Sequence, residues 1–146
     1  MNSKLLKMNL KNNTVFDCSI FDVFKVHNEA GNITVIENGK NIPFDVKRIY
    51  YLYDIPGGEA RGVHAHYELE QYVIASSGSF DVILDDGKTR KIVTLNRPNL
   101  ALHIVPWLWR ELDNFSSGSI SLVLASLIYD EKDYIRDYDE FLEFKK

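Results

Sequence analysis

Apolar and polar residues alternate along most of this chain in short runs broken by Gly, Pro, Asn and Asp. In Gly78-Ser-Phe-Asp-Val-Ile-Leu84, Phe80, Val82 and Leu84 fall on one side and Ser79, Asp81 and Ile83 on the other. A period of two marks a strand with one face against a core. Asp85-Asp-Gly87 then reads as a hairpin turn. Comparable runs predict strands over 46–53, 71–75, 88–95, 100–105, 110–115 and 119–126, another over 33–36, and one or two between Thr14 and Val26. Short strands repeated every ~8–12 residues, with turn residues between them, read as a sandwich or barrel. Residues 1–13 are polar and rich in Lys and Asn, and predict a loose or partly paired lead-in. Only residues 130–144 carry apolar positions at helical spacing (Tyr134, Ile135, Tyr138, Phe141, Leu142), which predicts a C-terminal helical tail. No internal repeat or linker divides the chain, so 1–146 reads as one domain.

Composition narrows the class. The 146 residues are 45% hydrophobic, enough for a core of their own, and the net charge of -4 offers no basic field to a nucleic acid. No run approaches the ~20 apolar residues of a membrane span. The N-terminus lacks the apolar core and cleavage site of a signal peptide. The single cysteine, Cys18, has no partner for an internal disulfide and fits a reducing compartment. A cytoplasmic protein is expected.

The candidate chemistry lies between Gly58 and Gly78. His64 and His66 are two apart, so in a strand both rings project to one face. Gln71 follows a short polar turn, and the two glycines suit the ends of a hairpin. Two imidazoles and an amide on one pocket wall are then expected. An isolated histidine in a β-rich chain is usually structural; two on one face beside a Gln point to a site.

The spacing resembles the first signature motif of the cupin superfamily, with Gly58, then His64-x-His66 and Gly78, around a small β-barrel. Gln71 stands where metal-binding cupins carry Glu, and a neutral amide is a poor ligand for a divalent ion. Counted from Pro106, the place of the second motif's histidine falls on Glu111. The set His64, His66, Gln71 and Glu111 is atypical for a metal and better furnished for metal-free acid–base work, so no metal or cofactor is expected.

A narrower resemblance covers the chain from about Gly31 onward. Asn41-Ile-Pro-Phe-Asp-Val-Lys-Arg-Ile-Tyr-Tyr, Arg61-Gly-Val-His-Ala-His, Leu69-Glu-Gln71 and Tyr129-Asp-Glu-Lys-Asp-Tyr-Ile-Arg-Asp-Tyr-Asp resemble the cupin-type, WxcM-like dTDP-sugar 3,4-ketoisomerases. The resemblance implies a jelly-roll double-stranded β-helix with a short C-terminal helix. It also implies cofactor-free conversion of dTDP-4-keto-6-deoxyglucose to a 3-keto sugar through an enediolate, feeding an aminotransferase in 3-amino-3,6-dideoxyhexose synthesis for surface glycans. By position, His66 is carried over as the principal base, His64 as its partner or an oxyanion donor, and Tyr50 as a phenol donor. Arg61 is expected on a phosphate of the nucleotide and Gln71 on the sugar hydroxyls. Glu111 is expected on a histidine or the sugar. Trp109, with Trp107, is expected on thymine or as aromatic closure of the barrel mouth. Arg110 resembles the members whose product is gluco-configured at C4, whereas Ala30, before Gly31, matches neither product type. His27 and His103 read as structural. A homodimer exchanging N-terminal strands is implied. The alternatives are a nucleotide-sugar 3,5-epimerase-like cupin and a non-catalytic sugar-binding cupin.

Overall fold

The structure is a computed structural model that describes residues 3–146. A helix, α1 (Ser3–Leu10), and a 3-10 turn at Val15–Asp17 precede the strands β1 (Ser19–Asp22), β2 (Lys25–Asn28), β3 (Gly31–Thr34) and β4 (Arg48–Leu52). The histidine strand β5 (Arg61–His66) follows, then β6 (Gln71–Ser77), β7 (Phe80–Asp85), β8 (Arg90–Leu95) and β9 (Leu100–Ile104). Next come β10 (Trp109–Asp113), β11 (Ile120–Ala125), a two-residue β12 (Tyr134–Ile135) and helix α2 (Tyr138–Lys145).

Two five-stranded antiparallel sheets form the body, ordered β1-β9-β6-β11-β4 and β12-β5-β10-β7-β8, while β2 and β3 pair with each other. This is the expected all-β, cupin-type jelly roll. Its core is the inward parity of the alternating runs: Val73 and Ala75, Val82 and Leu84, Leu95, Leu102, Ile104, Leu112 and Val123 meet between the sheets. Each such Val, Leu or Ile side chain stabilises the fold by about 1.5–3 kcal/mol relative to exposure. Outside the first sheet, Ile36, Ile42, Phe44 and Val46 cover Tyr72, Ile74 and Leu124. Outside the second, Leu10 of α1 and Phe141, Leu142 and Phe144 of the C-terminal segment cover Trp107, Trp109 and Ile135. Asp86 completes the expected hairpin turn by accepting from the backbone N–H groups of Lys88, Thr89 and Val15.

Three local expectations are corrected. The lead-in is helical over Ser3–Leu10 because it has a surface to lie on: Leu10 packs beside Trp107, and Lys7 pairs with Glu68 at 2.8 Å. The tail makes one 3-10 turn at Glu131–Asp133 and is α-helical only from Tyr138. Asp130 and Asp137 accept from the backbone at Lys132 and Glu140, and between these caps Tyr134–Ile135 runs extended beside His66 and Ala65. Finally, β5 and β6 are not two arms of a hairpin but lie in opposite sheets. Asp133 holds the crossing, its carboxylate accepting from Glu68 N and Leu69 N at 2.9 and 3.2 Å. A hydroxyl from the neighbouring strand end, Ser126 Oγ, takes Glu70 N.

Candidate active site

Between the sheets lies a cavity of about 400 Å³ whose apolar lining, Val73, Leu112 and Val123, continues the core. Its polar lining comes from five elements. β4 supplies Arg48 and Tyr50, two apart and so on one face; β6 supplies Gln71, β10 Arg110, and the strap before α2 Tyr129, Tyr134 and Arg136.

β5 supplies both Arg61 and His64, although three positions separate them and simple alternation puts them on opposite faces. A bulge resolves this. Arg110 pairs with His64 but Leu112 with Arg61, so β5 carries one extra residue there, and Gly62 takes it up at φ +64°. Any side chain at 62 is strained at that φ.

The two histidine rings meet edge to face, centroids 4.7 Å apart, with Tyr134 against both. Their surroundings differ. His64 lines the cavity, whereas His66 is fully buried behind it. His66 Nδ1 lies 3.1 Å from Asp133 Oδ2, and its Nε2 is buried without a hydrogen-bond partner among the described residues. Burial, then the nearby Arg110 guanidinium, depress both imidazoles from 6.5 to about 2, so both rings are neutral. An unfolded chain takes up two protons below pH 6.5 that the folded pocket refuses. Stability is therefore full above pH 6.5 and is lost as pH falls below it, by up to about 1.4 kcal/mol per pH unit for each ring. Urea midpoints measured from neutral to mildly acidic pH will show this fall, and a His64→Asn/His66→Asn variant will flatten it. A wild-type slope equal to the variant's refutes the assignment.

Arg110 is 1% exposed and faces no carboxylate at salt-bridge distance among the described residues. Its Nε and Nη2 donate to Leu108 O, and Nη1 donates to Gln71 Oε1 at 2.7 Å. Burial lowers its pKa to about 10, which leaves it a cation at neutral pH. Gln71 Nε2 donates in turn to Tyr50 Oη at 2.9 Å. Burial raises the Tyr50 phenol above its ordinary value, against the opposing pull of Arg110.

Arg48 sits over the rings of Tyr50 and Tyr129, 5.4 and 5.5 Å from their centroids. Its Nε and Nη2 are buried and unpartnered among the described residues. Arg136 is gripped by a fork from Glu131 and stacks over Tyr134 at 4.3 Å. With Arg61, four guanidinium groups and, among the described residues, no carboxylate line this cavity, in a chain of net charge -4. Such a lining suits an anionic ligand.

Of the predicted residues, His64, Tyr50, Arg61, Gln71 and Arg110 are brought together, and His66 stands directly behind them. Trp109 and Glu111 are not. They share the far face of β10, where Trp109 packs on Tyr138 and Phe141 and Glu111 lies within 4.0 Å of Arg90. Strand parity makes this unavoidable once Arg110 points inward. The four-residue ligand set that includes Glu111 is therefore not assembled, and Trp109 closes the α2 interface rather than the barrel mouth. Sequence reasoning missed Arg48, although its parity with Tyr50 was visible. It also assigned no roles to Tyr129, Asp133, Tyr134 and Arg136, although the tail motif contains all four. His27 and His103 lie away from the cavity, on Asn32 and Glu70.

Fold and site together define a cupin-type barrel furnished for acid–base work on an anionic ligand. The family model described as FdtA, WxcM-like, C-terminal, matches residues 16–146. The chain belongs to that family. The TDP-4-oxo-6-deoxy-alpha-D-glucose-3,4-oxoisomerase of Aneurinibacillus thermoaerophilus is 47% identical over 120 residues, 82% of this chain and 86% of that one. A 3,4-ketoisomerase from Helicobacter canadensis is 48% identical with a TM-score of 0.86, covering 88% of this chain and 97% of that one. The TDP-quinovose 3,4-ketoisomerase WlaRB of Campylobacter jejuni is 46% identical with a TM-score of 0.84, covering 88% and 99%.

Proposed function

We propose that this protein is a sugar 3,4-ketoisomerase acting on TDP-4-keto-6-deoxyglucose as a single cupin-type domain in the cytoplasm. The carrying observation is a neutral histidine, a phenol and a buried guanidinium facing one cavity whose other charges are all cationic. Arg48 and Arg61 would hold the diphosphate; unlike Arg136, neither pairs with a carboxylate among the described residues.

His64, not His66, is the base in this reading, because it lines the cavity while His66 is enclosed. It takes the C3 proton, which the adjacent ketone acidifies. The charge that develops on the C4 oxygen is met by the Tyr50 hydroxyl and the Arg110 cation. Passage of the O3 proton to O4, with return of a proton from His64 to C4, leaves a ketone at C3 and a hydroxyl at C4. A base held near a pKa of 2 is a weak one. Filling the cavity with a diphosphate offsets the arginine charges that contribute to the depression, and so strengthens the base where it is needed. Arg110, and 46% identity to a TDP-quinovose ketoisomerase, support a gluco-configured C4 in the product, which an aminotransferase can then aminate at C3.

The test is NMR of the purified protein with TDP-4-keto-6-deoxyglucose in D₂O, with a 3-aminotransferase to trap product. A trapped 3-amino sugar is expected, with deuterium entering at C3 and C4 and none at C5; the same product formed in H₂O should show a large H3–H4 coupling. Exchange at C3 and C5 without trapped product identifies a 3,5-epimerase instead, and binding without exchange a sugar-binding protein.

The same reading includes a strand-exchanged homodimer. Hairpin β2–β3 stands outside both sheets with Phe24, Val26 and Ile33 exposed, an apolar surface that a second barrel would cover. Light scattering will give a dimer mass for the wild type and a monomer for Phe24→Asp/Ile33→Asp. A monomeric wild type refutes it.

A further inference from the structure

The hydrogen bonds from Arg110 through Gln71 to Tyr50 have a fixed polarity. A guanidinium only donates, so the Gln71 atom 2.7 Å from Arg110 Nη1 must be its carbonyl oxygen. That turns the Gln71 amide nitrogen toward Tyr50, 2.9 Å from the phenol oxygen. An oxygen that accepts from an amide directs its own hydrogen elsewhere. Among the described residues no acceptor takes the Tyr50 hydrogen, and Tyr50 lines the cavity. The charged and titratable groups that act most on the phenol are Arg110 on β10, Tyr134 on β12 and Arg48 on β4, and His64 lines the same cavity; none of these is a carboxylate.

We propose that Gln71 is a positioning residue that, with its amide oriented by Arg110, holds the Tyr50 O–H aimed at the oxygen on C4. This rests on the ketoisomerase reading and replaces the expectation that Gln71 binds sugar hydroxyls, since its oxygen and one amide hydrogen are engaged within the protein. It supplies a physical reason for a Gln at this position. A carboxylate there only accepts. It would pair with Arg110 on one oxygen and capture the Tyr50 hydrogen on the other, turning the donor away from the substrate. The amide is the neutral group that can accept from one neighbour and donate to the next.

The test compares wild type with Gln71→Glu, Gln71→Leu, Tyr50→Phe and Tyr50→Phe/Gln71→Leu. Both Gln71 variants should lose kcat by roughly 10²-fold, the low end of what a positioned acid contributes, with KM little changed. In the Tyr50→Phe background, Gln71→Leu should have no further effect, because the group it positions is gone. Losses that multiply independently, or a Gln71→Glu variant with wild-type kcat, overturn the proposal. A readout independent of turnover separates its failure from that of the ketoisomerase reading. In protein carrying 13C-ζ-labelled tyrosine, the resonance missing from Tyr50→Phe should titrate at higher pH in Gln71→Leu than in wild type, because the donated hydrogen bond that favours the phenolate is lost. An unchanged titration refutes the arrangement even if the wild type turns nothing over.

Discussion

Replacing His64 with Asn will reduce turnover of TDP-4-keto-6-deoxyglucose by roughly 10³-fold, within the range assigned to a positioned general base, while TDP binding persists. The separation follows from geometry. His64 lines the cavity beside Arg110, whereas the proposed contacts to the nucleotide are Arg48 and Arg61. Aminotransferase-coupled kinetics and calorimetric titration with TDP measure the two effects. His66→Asn is the informative comparison. It breaks the bond to Asp133 in a fully buried position, so it should lower the melting temperature as well as the rate. If His66→Asn is inactive at unchanged stability while His64→Asn keeps most of its activity, the base is His66 and the assignment is reversed.

Arg48→Met will give effects of opposite sign on binding and stability. In the free protein, the Arg48 guanidinium has two nitrogens buried without partners, a cost that a similar-sized apolar side chain avoids. The ligand-free variant should therefore melt at a higher temperature than wild type. TDP affinity should fall by roughly 10- to 150-fold, the equivalent of one hydrogen-bonded charge at about 1.5–3 kcal/mol. Arg136→Met, by contrast, removes a guanidinium already held by Glu131 and should cost less affinity. Wild-type affinity in Arg48→Met would remove Arg48 from the nucleotide site.

The tail motif shows how far the sequence can be read without its fold. The segment Tyr129 through Asp139 carries part of the family resemblance, and the structure gives several of its residues work. Asp130 caps a turn, Asp133 holds His66 and the β5–β6 crossing, Tyr134 and Arg136 line the cavity, and Asp137 caps α2. The helical spacing of Tyr134 and Ile135 was misleading, because each of these residues faces a tertiary partner and neither belongs to a helix.

What the sequence determined by itself was the parity of its strands. Alternation in β7 placed Phe80, Val82 and Leu84 in the core, and the i, i+2 spacing placed His64 and His66 on one face, because successive side chains of a pleated strand must oppose each other. Parity is local. The tertiary structure decided which strand lies across from which, and how deep each side chain sits. It set β5 and β6 in opposite sheets and inserted a bulge at Gly62 that brings Arg61 round to the side of His64. It also turned Trp109 and Glu111 outward and buried His66 while leaving His64 at the cavity. Each of those outcomes depends on contacts between residues far apart in the chain, such as Asp133 with His66, and no local pattern encodes them.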